Sequence, residues 1–297
     1  MKILITGGNG QLGRELTEIL TKQKSVLGEL EIFRKNIYLT SAGKDRLDIT
    51  EHERVFEVIS AGRYDVVINC AAYTNVDGCE NDEKTAFSVN TIGVKNLGEA
   101  VEKVGGRLIH ISTDYVFDGK KTSPYTEEDE CSPLNNYGKT KYLGELCALE
   151  ACNNTAVVRS SWLYGAGGKS FVRTILALAG TQREVKVADD QRGTPTSCDE
   201  LAFHILKLAV CDYCGIFHCS ADGDCTWYDL AKKIVRLSGS DCEIIPCSSK
   251  EINRPAKRPC YSVLENQRLK QTVGDSMSFW EEAIERFIYS LKKAGEV

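Results

Sequence analysis

The feature that most constrains the fold is a glycine-rich turn near the start of the chain. The strand-like segment Lys2–Thr6 leads into Gly7-Gly8-Asn9-Gly10-Gln11-Leu12-Gly13, and Gln11–Lys22 then carries apolar residues at helical spacing. The glycines fit both Gly-x-Gly-x-x-Gly and Gly-x-x-Gly-x-x-Gly. Between a strand and a helix, such glycines let the backbone approach a pyrophosphate, which the helix N-terminus attracts. The turn therefore predicts a dinucleotide-binding unit, with a plain glycine turn as the alternative.

Strand-like and helix-like segments alternate through the first half of the chain. The predicted strands are Lys2–Thr6, Asn36–Leu39, Asp65–Asn69, Arg107–Ser112 and Ala156–Arg159. The predicted helices are Gln11–Lys22, Glu51–Ser60, Lys84–Val104 and Tyr137–Ala151. This alternation is typical of a parallel sheet with helices on both faces. We therefore predict an α/β, Rossmann-type, doubly wound sheet over residues 1–165 that binds NAD(P).

The second half of the chain has a less regular pattern. Its predicted helices are Ser170–Ala179, Glu200–Ala209, Trp227–Leu237 and Phe279–Lys292. A length of 297 residues is compatible with one or two domains. We predict that residues 166–297 form mainly a smaller substrate-binding domain, with some segments returning to the first sheet.

Charge and hydropathy exclude several classes of function. The chain has 37 Lys and Arg against 42 Asp and Glu, a net charge of −5, which disfavours binding to nucleic acid or to an anionic membrane. No apolar run approaches the ~18 residues of a membrane-spanning helix. The apolar run at the N-terminus is too short for a signal peptide, so a cytoplasmic location is expected.

The chain has 13 cysteines, and in a reducing compartment these are expected to be free thiols. Cys211 and Cys214 have the spacing of half a zinc knuckle, but no second such pair follows. We therefore expect no metal site among them and interpret most cysteines as small apolar residues or surface thiols.

Tyr137 and Lys141 are four positions apart, so on a helix they share a face. A nearby ammonium lowers the pKa of a phenol, which can then exchange a proton with a carbonyl or hydroxyl. Thr113 follows a predicted strand, and the carboxyl ends of parallel strands are where ligands bind. Such a pair is common by chance, and taken alone it is more typical of a solvated helix face.

The end of the second predicted strand bears on the choice of cofactor. A carboxylate there usually holds the ribose of NAD, and none stands at the strand tip. Ser41 and Lys44 could accept a 2′-phosphate instead. This pattern favours NADPH, with NADH as the alternative.

Taken together, these motifs resemble the extended short-chain dehydrogenase/reductases and, within them, the dTDP-4-dehydrorhamnose reductase family. Matching stretches run in order along nearly the whole chain. They are Leu4–Gly13, Leu47–Thr50, Asn69–Asp77, Ser112–Gly119, Tyr137–Lys141, Ser161–Gly165, Asp190–Thr196 and Arg258–Leu264.

The resemblance implies a role for each matching residue. Tyr137 would protonate the C4 oxygen, Lys141 would hold the nicotinamide ribose and lower the tyrosine pKa, and Thr113 would hydrogen-bond the substrate carbonyl. Asp114 and Trp162 would contact the nucleotide-sugar substrate. Arg258 is interpreted as a diphosphate clamp, or else as a charge on a surface loop. The cofactor-binding residues would be Gly7, Gly10, Gln11, Leu12, Gly13, Ser41, Asp48, Ile49, Ala71, Ala72, Tyr73, Tyr137 and Lys141.

The implied activity is NAD(P)H-dependent reduction of dTDP-4-dehydro-β-L-rhamnose at C4, for cell-wall polysaccharide. Two alternatives stay open: a related nucleotide-sugar epimerase or dehydratase, and a non-catalytic regulatory subunit like that of methionine adenosyltransferase. Dehydratases that resemble this chain usually carry glutamate after Thr-Asp, where this chain has Tyr115. The resemblance also implies Mg²⁺ at a homodimer interface, although no carboxylate cluster in the sequence can be assigned to it.

Overall fold

The computed structural model describes residues 1–296, and a parallel six-stranded sheet lies at its centre. The strands are β1 Lys2–Thr6, β2 Tyr38–Ala42, β3 Val66–Asn69, β4 Arg107–Thr113, β5 Thr155–Ser160, β6 Leu163–Tyr164, β7 Glu184–Ala188, β8 Arg192–Gly193, β9 Thr196–Ser197, β10 Gly215–His218, β11 Cys225–Thr226 and β12 Glu243–Cys247. The α-helices are α1 Gln11–Lys22, α2 His52–Gly62, α3 Val76–Asn81, α4 Glu83–Phe87, α5 Gly93–Val104, α6 Asn136–Ala151, α7 Phe171–Ala179, α8 Cys198–Leu208, α9 Trp227–Ser238, α10 Ser249–Ile252, α11 Gln267–Thr272 and α12 Trp280–Lys293.

The order of strands across the central sheet is β2-β1-β3-β4-β5-β10. The chain leaves β1 for β2 on one side and returns to β3 on the other, so the topology switches direction beside β1. A crevice forms outside the carboxyl ends of the strands at such a point, and ligands bind there. Thr6 at the end of β1 is in register with Asn69 at the end of β3.

Apolar packing on both faces of the sheet explains why its central strands are so hydrophobic. All four residues of β3 are buried, as are all seven of β4. One face packs against a core that includes α1 and α8, and the other packs against α2, α5 and α6. Strands buried on both faces read as continuous apolar runs, which is the pattern predicted for β3. The predicted doubly wound α/β fold is confirmed.

The second half of the chain completes this sheet. β10 pairs in parallel with β5, and α8 packs on α1. The remaining short strands form separate pairs, of which β7 with β12 is the longest. The segments that return to the sheet are thus β10 and α8, while the domain boundary at residue 165 stays a prediction.

Two predicted segments differ from the structure. The second strand begins and ends later than Asn36–Leu39, because residues 38–42 are the ones that hydrogen-bond in register with β1. The single helix predicted over Lys84–Val104 is divided into α4, a π-helical turn at Ser88–Ile92, and α5. Hydrophobic periodicity does not distinguish a π turn from an α turn in an otherwise continuous helix.

A buried ion pair joins α6 to β5. Arg159 donates to both carboxylate oxygens of Glu145, with Nε–Oε1 and Nη2–Oε2 distances of 2.9 Å and 2.6 Å. Both side chains are 1% exposed. The Ser112 hydroxyl also donates to Glu145, so the carboxylate links α6 to β4 as well. Removing one partner of such a pair leaves an uncompensated charge in the core.

We expect Arg159→Met to lower the free energy of unfolding by about 3–5 kcal/mol, because Glu145 is then buried without its partner. Urea unfolding followed by circular dichroism measures the change. The double variant Arg159→Met/Glu145→Leu should recover much of the loss. Glu18→Gln, which breaks the exposed pair with Lys22, is the control and should have little effect. If Arg159→Met lowered the free energy of unfolding as little as Glu18→Gln does, the Arg159–Glu145 pair would not have the stabilising role assigned to it.

Candidate active site

A cleft of about 670 Å³ opens at the carboxyl ends of β1, β3 and β4. Most of the residues predicted to bind cofactor or substrate line it. They are Gly7, Gly10, Gln11, Leu12, Gly13, Asp48, Ile49, Ala71, Ala72, Tyr73, Thr113, Tyr137, Lys141 and Trp162. Ser41, Asp114 and Arg258 do not line this cleft.

The glycine turn fits the pyrophosphate of a dinucleotide. Gly7 has a φ of +66°, and a Cβ there would lie 2.5 Å from the backbone nitrogen of Ala71. A Cβ at Gly13 would lie 2.4 Å from the carbonyl oxygen of Gly7. Gly10 is the N-cap of α1 and brings no side-chain acceptor, and the first turn of α1 carries no acidic residue. The N–H groups of that turn therefore suit an anion.

The N-terminus of α6 places Tyr137 beside Thr113. The Asn135 side chain caps α6 by accepting a hydrogen bond from the backbone N–H of Gly138, at 2.8 Å. A Cβ at Gly138 would lie 2.1 Å from the carbonyl oxygen of Tyr115, so the helix starts in direct contact with the segment after β4. Thr113 ends β4 and donates to Asp114, and its hydroxyl is close enough to the Tyr137 phenol to act on the pKa of that phenol.

Lys141 lies one turn further along α6 and is buried. Its ammonium donates to the carbonyl oxygen of Ile111 on β4 at 2.6 Å. Burial lowers the pKa of Lys141 to about 8, while the negative charge of Glu145 acts in the opposite direction. The side chain therefore carries its charge at neutral pH and loses it in mildly alkaline solution.

Burial is also the main influence on Tyr137, and it raises the pKa of the phenol. The hydrogen bond with Thr113 opposes this shift, and the nearby Asp114 adds to it. The net direction is opposite to the one predicted from the spacing of Tyr137 and Lys141. In this arrangement the phenol stays protonated at neutral pH and is a proton donor.

Asn90, on the π-helical turn, is a site residue that the sequence patterns did not indicate. Its side chain accepts from the backbone N–H of Tyr73 at 2.8 Å and donates to the carbonyl of Tyr73 at 3.1 Å. It also donates to the hydroxyl of Thr140 on α6 at 3.2 Å. Asn90 thus fixes the cleft-lining segment at Tyr73 relative to α6. The only sequence signal was an amide inside an otherwise regular helical pattern.

Trp162 forms a flat wall of the cleft. Its ring stacks on Trp227 with centroids 3.4 Å apart and planes 8° from parallel. Its φ of +47° is in the left-handed region, which a bulky residue rarely adopts. A Cβ at Gly193 would lie 2.6 Å from the Trp162 ring, so glycine is needed there. These contacts hold the indole in one orientation.

Asp114 and Arg258 are both held by other protein groups. Asp114 accepts from the Thr113 hydroxyl at 2.9 Å, and burial raises the pKa of its carboxyl group to about 6. Arg258 forms a two-armed ion pair with Asp77, at 3.0 Å and 2.8 Å. The Arg258 side chain is 9% exposed. It is therefore not a stray charge on a surface loop, and its role as a diphosphate clamp stays a prediction.

The two residues predicted to recognise a 2′-phosphate lie in different places. Lys44 lines the main cleft, with its ammonium 3.4 Å from the carboxylate of Asp48. Ser41 lines a second groove, beside Gly8 and Arg14, and its hydroxyl accepts from Thr17 at 3.0 Å.

Within residues 1–296, no group of three or more His, Cys, Asp or Glu side chains is arranged to hold a metal ion. The Mg²⁺ implied by the resemblance therefore has no donor set in the described part of this single chain. The 13 cysteines are all free thiols. No helix in the described residues is long and apolar enough to cross a membrane.

The chain is similar to known proteins over nearly its whole length. The family model of the RmlD substrate binding domain matches residues 1–293. The spore coat polysaccharide biosynthesis protein SpsK of Bacillus subtilis is 36% identical, with 99% of each chain covered. The crystal structure of a dTDP-4-dehydrorhamnose reductase from Clostridium acetobutylicum has a TM-score of 0.92 and 44% identity, over 98% of this chain and 100% of that one.

A dTDP-4-dehydrorhamnose reductase from Bacillus anthracis, solved in complex with NADP, has a TM-score of 0.89 and 38% identity. The match covers 97% of this chain and 99% of that one. Because the family model and these relatives match nearly the whole chain, the protein described here belongs to the dTDP-4-dehydrorhamnose reductase family.

Proposed function

We propose that the protein reduces the C4 keto group of dTDP-4-dehydro-β-L-rhamnose to give dTDP-β-L-rhamnose. The observation that carries this proposal is the convergence of Thr113, Tyr137 and Lys141 on one cleft that also contains the glycine turn. Family membership supports the same activity.

The cleft residues fit a nicotinamide dinucleotide. The turn at Gly7–Gly13 would hold its pyrophosphate, Asp48 and Ile49 would lie beside the adenine, and Ala71–Tyr73 would lie on the nicotinamide side. When bound, the reduced cofactor supplies the hydride that adds to C4. The protein's own contribution is to orient the two reactants and to provide a proton.

Tyr137 provides that proton to the C4 oxygen. Burial keeps the phenol protonated at neutral pH, which is the form that a ketone reduction requires. Thr113 holds the carbonyl oxygen by hydrogen bonding, and the charged Lys141 favours the phenolate that remains after transfer. Trp162 gives the substrate a flat surface, and Asp114 and Arg258 are proposed to act on its sugar and diphosphate.

A dehydratase or epimerase is less well supported. The position at which the resembling dehydratases carry glutamate is Tyr115, whose ring packs edge-on against Tyr137 with centroids 5.8 Å apart. Burial raises the pKa of the Tyr115 phenol, so the phenol stays protonated at neutral pH and cannot take up a proton as a glutamate carboxylate would. A regulatory subunit would not need Thr113, Tyr137 and Lys141 together in one cleft. The following test distinguishes this alternative from the reductase.

Tyr137→Phe is expected to lower kcat by about 10²- to 10⁴-fold, because the proton donor is lost while the ring is kept. Oxidation of NADPH at its absorbance band measures this, with the substrate made in situ by the upstream epimerase. Tyr289→Phe is the control, since that ring is 70% exposed. Folded wild-type protein that binds nucleotide but oxidises neither NADPH nor NADH would exclude the reductase and direct attention to a partner enzyme.

The alkaline limb of the pH profile tests Lys141. We expect kcat/KM for the cofactor to fall as pH rises past about 8, where Lys141 loses its proton. Glu145 raises the pKa of Lys141, so Glu145→Gln should move the limb to lower pH. Glu150→Gln, on an exposed side chain of the same helix, should leave the limb in place. If the alkaline limb moved to higher pH in Glu145→Gln, the limb could not be assigned to the deprotonation of Lys141.

We further propose NADPH as the preferred cofactor, with NADH also accepted, because Lys44 places a positive charge at the end of the cleft near β2. Lys44→Gln should raise KM for NADPH by about 3- to 10-fold and leave KM for NADH nearly unchanged. Lys24→Gln, an exposed lysine after α1, is the control. Equal changes for both cofactors would show that Lys44 does not recognise the 2′-phosphate.

A further inference from the structure

The Cys211-Asp212-Tyr213-Cys214 segment lies between α8 and β10, at the amino-terminal edge of the sheet. The catalytic cleft opens at the opposite edge, where the strands end. Cys214 is exposed and Cys211 is half-buried. Neither residue takes part in the proposed reaction, so the role of this pair of thiols lies outside the catalytic cleft.

Both sulfur atoms contact the same guanidinium group, that of Arg107 at the start of β4. The Cys214 sulfur is 3.6 Å from Nη1, and the Cys211 sulfur is 4.0 Å from Nη2. Arg107 is 4% exposed. The two thiols therefore lie against one buried cation, and their spacing in the sequence is that of Cys-x-x-Cys redox motifs.

The charge of Arg107 has no carboxylate partner within residues 1–296. Its oxygen partners are neutral: the carbonyls of Leu208, at 2.9 Å, and Tyr213, and the side-chain amide of Asn154. Asp212, the acid inside the Cys211–Cys214 segment, is exposed and is not among the hydrogen-bond partners of Arg107. A buried cation whose other partners are neutral would stabilise the negative charge that a neighbouring sulfur atom carries during thiol–disulfide exchange.

We propose that Cys211 and Cys214 form a thiol–disulfide exchange site whose co-reactant is a small-molecule disulfide. The contacts of Arg107 with both sulfurs carry the proposal. The exposed Cys214 is the attacking thiol and the half-buried Cys211 is the resolving one.

The exchange proceeds in two balanced steps. The Cys214 thiolate attacks one sulfur of the small disulfide, forming a mixed disulfide and releasing one small thiol. The Cys211 thiolate then attacks the Cys214 sulfur, forming the Cys211–Cys214 bond and releasing the second small thiol. Two protein thiols are oxidised, and the small disulfide is reduced by two electrons.

A zinc site and a purely structural role fit the Cys211–Cys214 motif less well. A zinc site needs four ligands, and residues 1–296 contain no group of three or more suitable side chains. The guanidinium on both sulfurs also disfavours a cation. A structural role, in which Arg107 ties the end of α8 and the loop after it to β4, accounts for the hydrogen bonds of Arg107 with Leu208, Tyr213 and Asn154. It does not require two cysteines at Cys-x-x-Cys spacing with one of them exposed.

The test uses the full-length protein, first reduced and then incubated with oxidised glutathione. Free thiols are trapped by alkylation at successive times, and tryptic peptides are analysed by mass spectrometry. The Cys211–Cys214 peptide is expected to become lighter by two hydrogen atoms through an internal disulfide. Cys214 should react about tenfold faster than Cys260, an exposed cysteine that serves as the matched control.

The serine variants separate the roles of the two thiols. In the Cys211→Ser variant, the reaction with oxidised glutathione should stop at a stable glutathione adduct on Cys214, because no resolving thiol remains. Cys214→Ser should block both the adduct and the disulfide, and Cys260→Ser should behave like the wild type. Circular dichroism of each reduced variant checks that it is folded.

Three results would overturn the proposal. The first is an equal rate of modification at Cys214 and Cys260 with no internal disulfide in the wild type. The second is zinc bound in stoichiometric amount to Cys211 and Cys214. The third is a disulfide that links either cysteine to another residue in preference to its neighbour.

Discussion

The close approach of the first turn to the neighbouring strand is the constraint on which the rest of this structure depends. Gly7 and Gly13 have no side chains, so the turn can lie against Ala71 and the helix α1 can start directly above the sheet. Any Cβ at these two positions would meet backbone atoms that cannot move aside. The same contact brings the glycine turn and residues 71–73 to one crevice, where we propose that the pyrophosphate and the nicotinamide bind.

Helix α6 carries the two residues proposed for catalysis, Tyr137 and Lys141, on a single face. Tyr137, Lys141 and Glu145 follow one another at four-residue intervals, and each meets β4 or β5 through a different interaction. Tyr137 is beside Thr113, Lys141 donates to Ile111, and the carboxylate below them is neutralised by a buried arginine. The buried ion pair thus sets both the position of the helix and the electrostatic environment of the lysine.

The sequence was sufficient for the parallel sheet, the glycine turn and most of the cleft. These features depend on local patterns: apolar runs for β3 and β4, glycines at fixed intervals, and a tyrosine–lysine pair on one helix face. The role of Asn90 could not be predicted from the sequence, because hydrophobic periodicity does not distinguish a π-helical turn from an α-helical one. Nor did the sequence reveal that Arg258 pairs with Asp77, since these residues are far apart in the chain.

The sequence by itself determined the order and type of the main elements, because periodicity and glycine spacing are properties of neighbouring residues. Only the tertiary structure decided the charge state of the site. Spacing predicted that Lys141 lowers the pKa of Tyr137, yet burial raises it, and the extent of burial depends on packing between distant segments. The same holds for Arg107, whose contacts with Cys211 and Cys214 arise where β4 and the end of α8 meet.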